Sequence, residues 1–287
     1  MGNCVYCGLS AGLFRSKHKE CEVKEQLRIA EVKAVQGRVQ QVVVTSLDQD
    51  LGVEGLLDLV SKETQSGNLT AQESREAVIA GWCNGVDKCL EDGVIDAGEE
   101  KGLVRIKRAF DLSEDELDKT GDHTRFVQAA VIRDLLNGIL PRRYEAEQGL
   151  PINLQKNEKV VWAFHGCDYL EDKTKRTYQG GSRGVSVKVM KGVYYRVGAF
   201  KGEPVFNTER VKVDSGAVYV TNKHIYFAGE NKSLRVPYSK IVSFLPFTDA
   251  VGVIRDAQTA KPQIFKTGEG WFTYNLVTNL AQLDSQG

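Results

Sequence analysis

Three cysteines and a histidine near the N-terminus are the residues of this chain whose spacing best suits chemistry. Cys4 and Cys7 are two residues apart and precede Gly8, and after ten further residues His18 and Cys21 form a second pair. Thiolate and imidazole ligands in two such pairs are typical of structural zinc sites. Four protein ligands complete a tetrahedral site and leave no position for catalytic water. The sequence therefore predicts one Zn²⁺ ion on these four side chains.

This block resembles treble-clef-like and zinc-ribbon-like fingers, in which a Cys-x-x-Cys-Gly knuckle faces a His-x-x-Cys pair on a helix. The resemblance covers about 25 residues and implies no particular function, because such fingers bind proteins and nucleic acids alike. A unit this small cannot bury a core, so the metal would supply most of its folding free energy, on the order of 10 kcal/mol. The alternative is a chance cluster of thiols in a flexible N-terminus.

The remaining composition is that of a soluble globular protein without disulfides. The 287 residues are 41% hydrophobic and 26% charged, which predicts two or three domains that can bury real cores. Cys83, Cys89 and Cys167 are scattered and form no disulfide framework, so a reducing compartment is expected. The chain has neither a membrane-spanning apolar run nor a signal-peptide core. We predict a cytoplasmic protein, with peripheral attachment to a membrane as an option.

Charge and periodicity together divide the chain into three predicted modules. Residues 1–45 carry a net charge of +3, residues 46–150 of −10 and residues 151–287 of +7. The first module is the finger and a connector helix. The second is all helical, because apolar residues recur at helical spacing and two capping boxes occur, Thr70 with Glu73 and Ser113 with Glu116. Alternating charge between modules favours either contact between them or separate partners.

The middle module is similar to the helical TerB domain, which is linked to tellurite resistance and to stress or phage-defence systems. The similarity rests on residues 90–95 (LEDGVI), 99–100 (EE) and 112–117 (LSEDEL), within about 90 residues. It implies a second divalent-metal site, at the matching carboxylates Asp92, Asp96, Glu99 and Glu100. The alternative is that these carboxylates stabilise a helix N-terminus through its dipole and bind nothing.

The third module changes to the two-residue period of β-strands and ends in an amphipathic helix. Turn residues separate nine predicted strands, at residues 160–164, 185–189, 193–197, 217–220, 224–227, 233–236, 241–244, 251–254 and 263–265. The closing helix carries an apolar stripe of Trp271, Phe272, Leu276, Leu280 and Leu283. The predicted fold class is therefore multi-domain α+β: a small zinc finger, an all-α bundle, then an antiparallel β-barrel or sandwich capped by a C-terminal helix.

The β-module resembles the GRAM branch of the pleckstrin-homology superfamily. The residues that carry the resemblance are 216–227 (GAVYVTNKHIYF), 236–241 (VPYSKI) and 270–272 (GWF). Such domains bind lipid headgroups or proteins and have no catalytic machinery. By analogy with the lipid site of these domains, an anionic ligand would be held in a Gly-rich loop by Lys173, Lys175, Arg176 and Arg183. Protein recognition, or a loop that is simply solvated, is the alternative.

No nucleophile–base set or nucleotide-binding loop has a recognisable local signature in this sequence. We therefore expect a non-enzymatic adaptor that recognises protein partners or a membrane surface, with no small-molecule substrate. The TerB resemblance alone suggests a bacterial stress or defence process. The alternatives are a nucleic-acid-binding protein that uses the finger, and a metal-dependent sensor or hydrolase in the helical module.

Overall fold

The chain divides into two compact units, residues 1–134 and 135–287. The computed structural model describes residues 2–12, 15–49, 51–91, 93–144, 149–179, 185–190, 193–197, 203–257 and 261–286. Both helices and antiparallel strands are present, so the predicted mixed α+β class is confirmed. The bounds of the three predicted domains stay predictions, because the two compact units group the finger with the helices.

The first unit is a short hairpin followed by helices. Its elements are β1 (Gly2–Asn3), β2 (Ser10–Gly12), α1 (Lys19–Thr45), α2 (Val53–Ser66), α3 (Ala71–Cys89), α4 (Ala97–Ala109), α5 (Glu114–Leu117) and α6 (Asp122–Leu136), which continues past the boundary between the units. The two predicted capping boxes begin α3 and α5. In each box the hydroxyl accepts from a free backbone amide and the glutamate accepts from the capping residue's own amide.

The C-terminal half of α1 belongs to the helical core. Val35, Val39 and Val43 recur every four residues and are buried, whereas the first turns of the helix are mostly exposed. Gly81 on α3 allows close approach of the two helices, because a Cβ there would lie 2.8 Å from Cβ of Val43. The predicted connector is therefore a structural part of the bundle at one end and carries the finger at the other.

The second unit is built on an antiparallel seven-stranded sheet. Its strands are β3 (Val160–Gln179), β4 (Val185–Met190), β5 (Val193–Val197), β6 (Glu203–Thr221), β7 (His224–Gly229), β8 (Ser233–Pro237), β9 (Ile241–Pro246), β10 (Ala250–Arg255) and β11 (Gln263–Lys266). The sheet order is β8-β7-β6-β3-β11-β10-β9, and β4 pairs with β5 alone. All nine predicted strands are confirmed. Of the predicted barrel or sandwich, the described strands do not form a closed barrel, because β8 and β9 lie at opposite edges of the sheet and do not pair.

Helix α7 (Gly270–Gln286) closes this unit, as the sequence predicts. Phe272, Leu276 and Leu280 are buried, and the ring of Phe272 packs edge-on against Trp162 of β3 with the ring centroids 4.9 Å apart. Trp271 is 60% exposed, so it does not belong to the buried stripe in which the sequence placed it. Adjacent residues on a helix point about 100° apart, and only Phe272 of this pair can face the sheet.

Candidate metal centre

A tight knuckle positions the first two cysteines. The backbone amide of Cys4 donates to the carbonyl of Leu9 at 2.7 Å, and the amide of Gly8 donates to the carbonyl of Cys4 at 2.8 Å. Gly8 has a φ of +73°, a left-handed conformation that disfavours residues with a side chain. The turn therefore brings the Cys4 and Cys7 side chains to the same side of the chain.

The start of α1 positions the second pair of ligands. His18 is the N-cap residue of this helix, and its carbonyl accepts the amide of Glu22 at 3.0 Å. Residues three apart in a helical turn lie on one face, so Cys21 follows His18 on the side that meets the knuckle. The backbone amide of His18 also points at the sulfur of Cys4, at 3.4 Å.

The four ligand atoms lie within 4.8 Å of one another. Nδ1 of His18 is 3.4 Å from Sγ of Cys7 and 3.7 Å from Sγ of Cys21. A tetrahedral ion with bonds of about 2.3 Å to sulfur and about 2.05 Å to nitrogen requires sulfur–nitrogen separations of about 3.6 Å. The two sulfur–nitrogen separations therefore match those of a tetrahedral site. In the part of the chain that the structure describes, no other group of three or more such ligands converges in this way.

The tautomer of His18 is set by a neighbour that is not a ligand. Its Nε2 lies 3.0 Å from the backbone carbonyl oxygen of Ser10, which can only accept a hydrogen bond. The proton of a neutral imidazole is therefore held on Nε2, and the lone pair on Nδ1 faces the three thiols. This orientation is the one that metal coordination requires.

The thiols differ in their readiness to ionise. Burial opposes ionisation of Cys4, but the backbone amides of His18, Cys7 and Tyr6 outweigh it and lower the pKa of this thiol to about 6. Burial, followed by the neighbouring thiols of Cys7 and Cys4, raises the pKa of Cys21 to about 11. Several thiolates cannot share so small a space unless a cation neutralises them. The cluster thus has the charge balance of a site for a thiophilic metal ion.

The predicted second metal site contains residues with other partners. Asp96 is the N-cap of α4, accepts from the amides of Gly98 and Glu99, and forms a third capping box with Glu99 that was not predicted. Glu100 pairs with Arg133 at 2.6 Å. Asp92 lies outside the described residues. Asp96 and Glu99 therefore interact with the N-terminus of α4, as in the alternative in which these carboxylates stabilise a helix start. The metal site at the four carboxylates stays a prediction.

Three of the four predicted anion-binding residues lie in a strand rather than in the loop where the sequence placed them. Lys173, Lys175 and Arg176 belong to β3 and are paired in register with residues 209, 207 and 206 of β6. The sequence predicted only the first part of β3 and the last part of β6, because the remainder is polar and lacks a clear two-residue period. Arg183 lies outside the described residues. Binding of an anion by these four residues stays a prediction.

A buried polar cluster around Glu158 was missed by the sequence analysis. One carboxylate oxygen accepts from the hydroxyl of Thr221 at 2.6 Å and lies 2.8 Å from Nδ1 of His224; the other accepts from the amide of Gln155 at 2.7 Å and the hydroxyl of Tyr226 at 2.9 Å. Thr221, His224 and Tyr226 lie 63, 66 and 68 positions after Glu158, so no local motif connects them to it. The cluster ties the segment before β3 to the β6–β7 turn.

Stability of the second unit should depend on pH through Glu158. Burial raises the pKa of this carboxyl, but its hydrogen bonds outweigh that effect and lower it. The folded pKa then lies below the unfolded value of about 4.3. The stabilisation is therefore complete above that unfolded value and is lost as the pH falls through the folded pKa. Urea unfolding of this unit between pH 3 and pH 7, in steps of roughly one unit, measures the loss.

The matched variants for this measurement are Glu158→Gln and Glu230→Gln. The first replaces one acceptor oxygen by an amide group that cannot accept, and we expect a loss of about 1–3 kcal/mol at neutral pH with a weaker dependence on pH. The second changes an exposed glutamate and should behave as the wild type. Equal pH profiles for the wild type and Glu158→Gln would show that another group is responsible.

No family model matches this chain, and no curated protein matches it significantly in sequence. None of the described helices is both long enough and apolar enough to cross a membrane.

Proposed function

We propose that Cys4, Cys7, His18 and Cys21 hold a structural Zn²⁺ ion and that the protein is a non-enzymatic, cytoplasmic adaptor that recognises a protein partner through this finger. The observation that carries the proposal is the convergence of four ligands, three thiols and one imidazole, whose atoms lie within 4.8 Å of one another. Such a site has no open position at which water or substrate could be activated. Its role is then to hold the shape of the surface around it.

That surface is apolar at the knuckle. Val5 is 71% exposed, Leu9 is 69% exposed and Tyr6 is 46% exposed, and all three lie within or directly after the Cys4–Cys7 turn. Because these apolar side chains are exposed, they do not contribute to a core. An exposed group of apolar side chains favours binding to another protein. An aromatic side chain with a polar tip is also typical of interface centres.

The proposal is tested by comparing two variants in which zinc binding is retained. Val5→Asp combined with Leu9→Asp alters the knuckle surface, whereas Val242→Asp, at an exposed position on β9, is the control. Proteins captured by the wild type in cell extract should be lost with the knuckle variant, by about tenfold or more, and retained by the control. Capture that is equal for all three proteins would exclude the knuckle as the recognition surface.

The two further parts of the proposal rest on sequence resemblance. We propose that the helical region is TerB-like and that the C-terminal sheet with α7 is GRAM-like or pleckstrin-homology-like, which would place the adaptor in a bacterial stress or phage-defence process and give it access to a membrane surface. Support comes from the motifs of residues 90–117 and 216–272. Binding to vesicles that is lost at high salt would support the membrane contact.

Nucleic-acid binding by the finger is the second candidate, favoured by the exposed basic residues Arg15, Lys19 and Lys24 near the metal centre. It requires an affinity for single- or double-stranded nucleic acid that falls steeply with salt concentration, because phosphate contacts release counterions. If the finger is instead a protein-binding surface that uses the apolar knuckle, the purified protein should show no such salt-dependent affinity for nucleic acid. The same purified protein therefore distinguishes the two candidates in one titration.

A further inference from the structure

Three basic side chains meet at an open pocket in the helical unit. The pocket has a volume of about 600 Å³ and lies between α4 and the first residue of α2, Val53. Lys101, Arg105 and Arg108 line it from α4, together with Val104. Because these positions are three or four residues apart, they share one face of the helix. The size is within the range of small-molecule sites.

The charge at this pocket is opposite to that of its surroundings. Residues 46–150 carry a net charge of −10, yet α4 contains four basic residues in thirteen. Within the described residues neither Lys101 nor Arg108 forms an ion pair. The one acidic residue of the lining, Glu100, is paired with Arg133 at 2.6 Å. The pocket is therefore a local concentration of positive charge without a neutralising carboxylate in the described lining.

Arg105 has a donor that nothing in the described structure satisfies. Its Nη2 donates to the carbonyls of Ser46 at 2.5 Å and Gln49 at 3.2 Å, which fixes the guanidinium in place. Its Nε–H is buried and has no hydrogen-bond partner among the described atoms. The two carbonyl contacts hold the guanidinium at the wall of the pocket, where its charge adds to those of Lys101 and Arg108.

The start of α2 also favours an anion at this pocket. The N-cap of this helix is Gly52, which has no side chain that could accept a hydrogen bond from the first turn. Helix N-termini carry a partial positive charge and favour anions. The apolar part of the lining, Val53, Ala97 and Val104, suits the organic part of a ligand.

The geometry points to a binding site for a phosphorylated small molecule, formed by Lys101, Arg105 and Arg108 with the start of α2. A guanidinium that is held by backbone carbonyls recognises phosphate oxygens with fixed geometry, and the flanking lysine and arginine add charge. The site is distinct from the metal centre, and of the acidic residues predicted as metal ligands only Glu100 belongs to its lining. A ligand there would contact α2 and α4 together and so stabilise the bundle.

Calorimetric titration with inorganic pyrophosphate tests the site in the full-length protein. The test variant is Lys101→Gln combined with Arg108→Gln, at two exposed positions. The control is Lys62→Gln combined with Lys119→Gln, which removes the same charge from two other exposed positions of this unit. We expect pyrophosphate binding to weaken at least about tenfold in the test variant and less than about twofold in the control. Arg105→Lys, which keeps the charge but lacks the planar guanidinium fork, should also weaken binding.

The source of the phosphate group is distinguished by sedimentation with vesicles that contain phosphatidic acid. A lipid headgroup as ligand would make the wild type sediment and leave the test variant in solution, whereas a free phosphate ester would give pyrophosphate binding with no difference in sedimentation between these proteins. Two results would overturn the site: no binding of pyrophosphate or vesicles by the wild type, or equal weakening in the test and control variants. Circular dichroism of each variant confirms that the helices are retained.

Discussion

Replacing Cys4 with serine will reduce the zinc content of the purified protein from about one ion per chain to background. Cys4 is only 2% exposed, and its sulfur receives the backbone amide of His18 at 3.4 Å. A serine hydroxyl is not ionised at neutral pH and is a poor ligand for zinc. The remaining three ligands leave the site open, and the knuckle loses the interaction that connects it to the start of α1.

The loss should be confined to the finger. Metal binding is expected to contribute on the order of 10 kcal/mol to the folding of this small unit. The bundle has its own core, to which α1 contributes Val35, Val39 and Val43, so its helices should persist without the ion. Amide NMR signals from β1 and β2 should collapse towards random-coil positions, while the signals of α3 and α4 should remain dispersed.

The control for this experiment is Cys83→Ser. Cys83 lies on α3, far along the chain from the cluster, and burial, followed by Asp122, raises the pKa of its thiol to about 12. It should retain one zinc ion per chain. Metal analysis of protein purified without a chelator measures the zinc content per chain directly. A wild type without stoichiometric zinc, or a Cys4→Ser variant that retains it, would contradict the assignment of the site.

Replacing Trp82 with alanine will destabilise the helical unit by about 3–5 kcal/mol. Trp82 is fully buried, and its indole N–H donates to the carbonyl of Leu103 at 3.0 Å. Its ring packs edge-on against Phe126 at 5.7 Å between centroids and stacks with His123 at 6.2 Å. The substitution creates a cavity at the point where α3, α4 and α6 meet, and partial collapse cannot refill it.

The matched control is Trp271→Ala, which removes the same side chain from a position that is 60% exposed. We expect a change of less than about 0.5 kcal/mol. In Trp82→Ala, helix content monitored in urea should show an earlier transition, whereas the fluorescence of Trp162 and Trp271 should keep its midpoint. Both of these tryptophans belong to the second unit. Comparable losses in the two variants would show that burial does not determine the effect.

Neighbouring residues were enough to predict several features of this protein. The spacing of Cys4, Cys7, His18 and Cys21 predicted that these four side chains converge, because a knuckle and a helix start are local structures. The capping boxes at Thr70 and Ser113 depend on contacts over three residues. The nine strands were recognised because alternation of apolar and polar side chains is a property of each strand alone. In these cases the information lies within a few residues along the chain.

The features that the sequence analysis missed depend on contacts between distant segments. Glu158 meets His224 across 66 positions, and Arg105 reaches Ser46 across 59. Barrel and sandwich stayed alternatives in the prediction because strand count and spacing do not specify which edges pair. Trp271 was assigned to the core because the apolar periodicity of a helix does not specify how wide a face of that helix the sheet covers.

The sequence by itself thus determined which four ligands converge, the element types and the capping boxes that begin α3 and α5. Only the tertiary structure decided which charges converge at the pocket on α4, which strand edges stay open and which aromatic rings are buried. The physical reason is the range of the interactions. Capping, periodicity and ligand spacing act between near neighbours, whereas burial and charge clustering arise when remote segments are packed together.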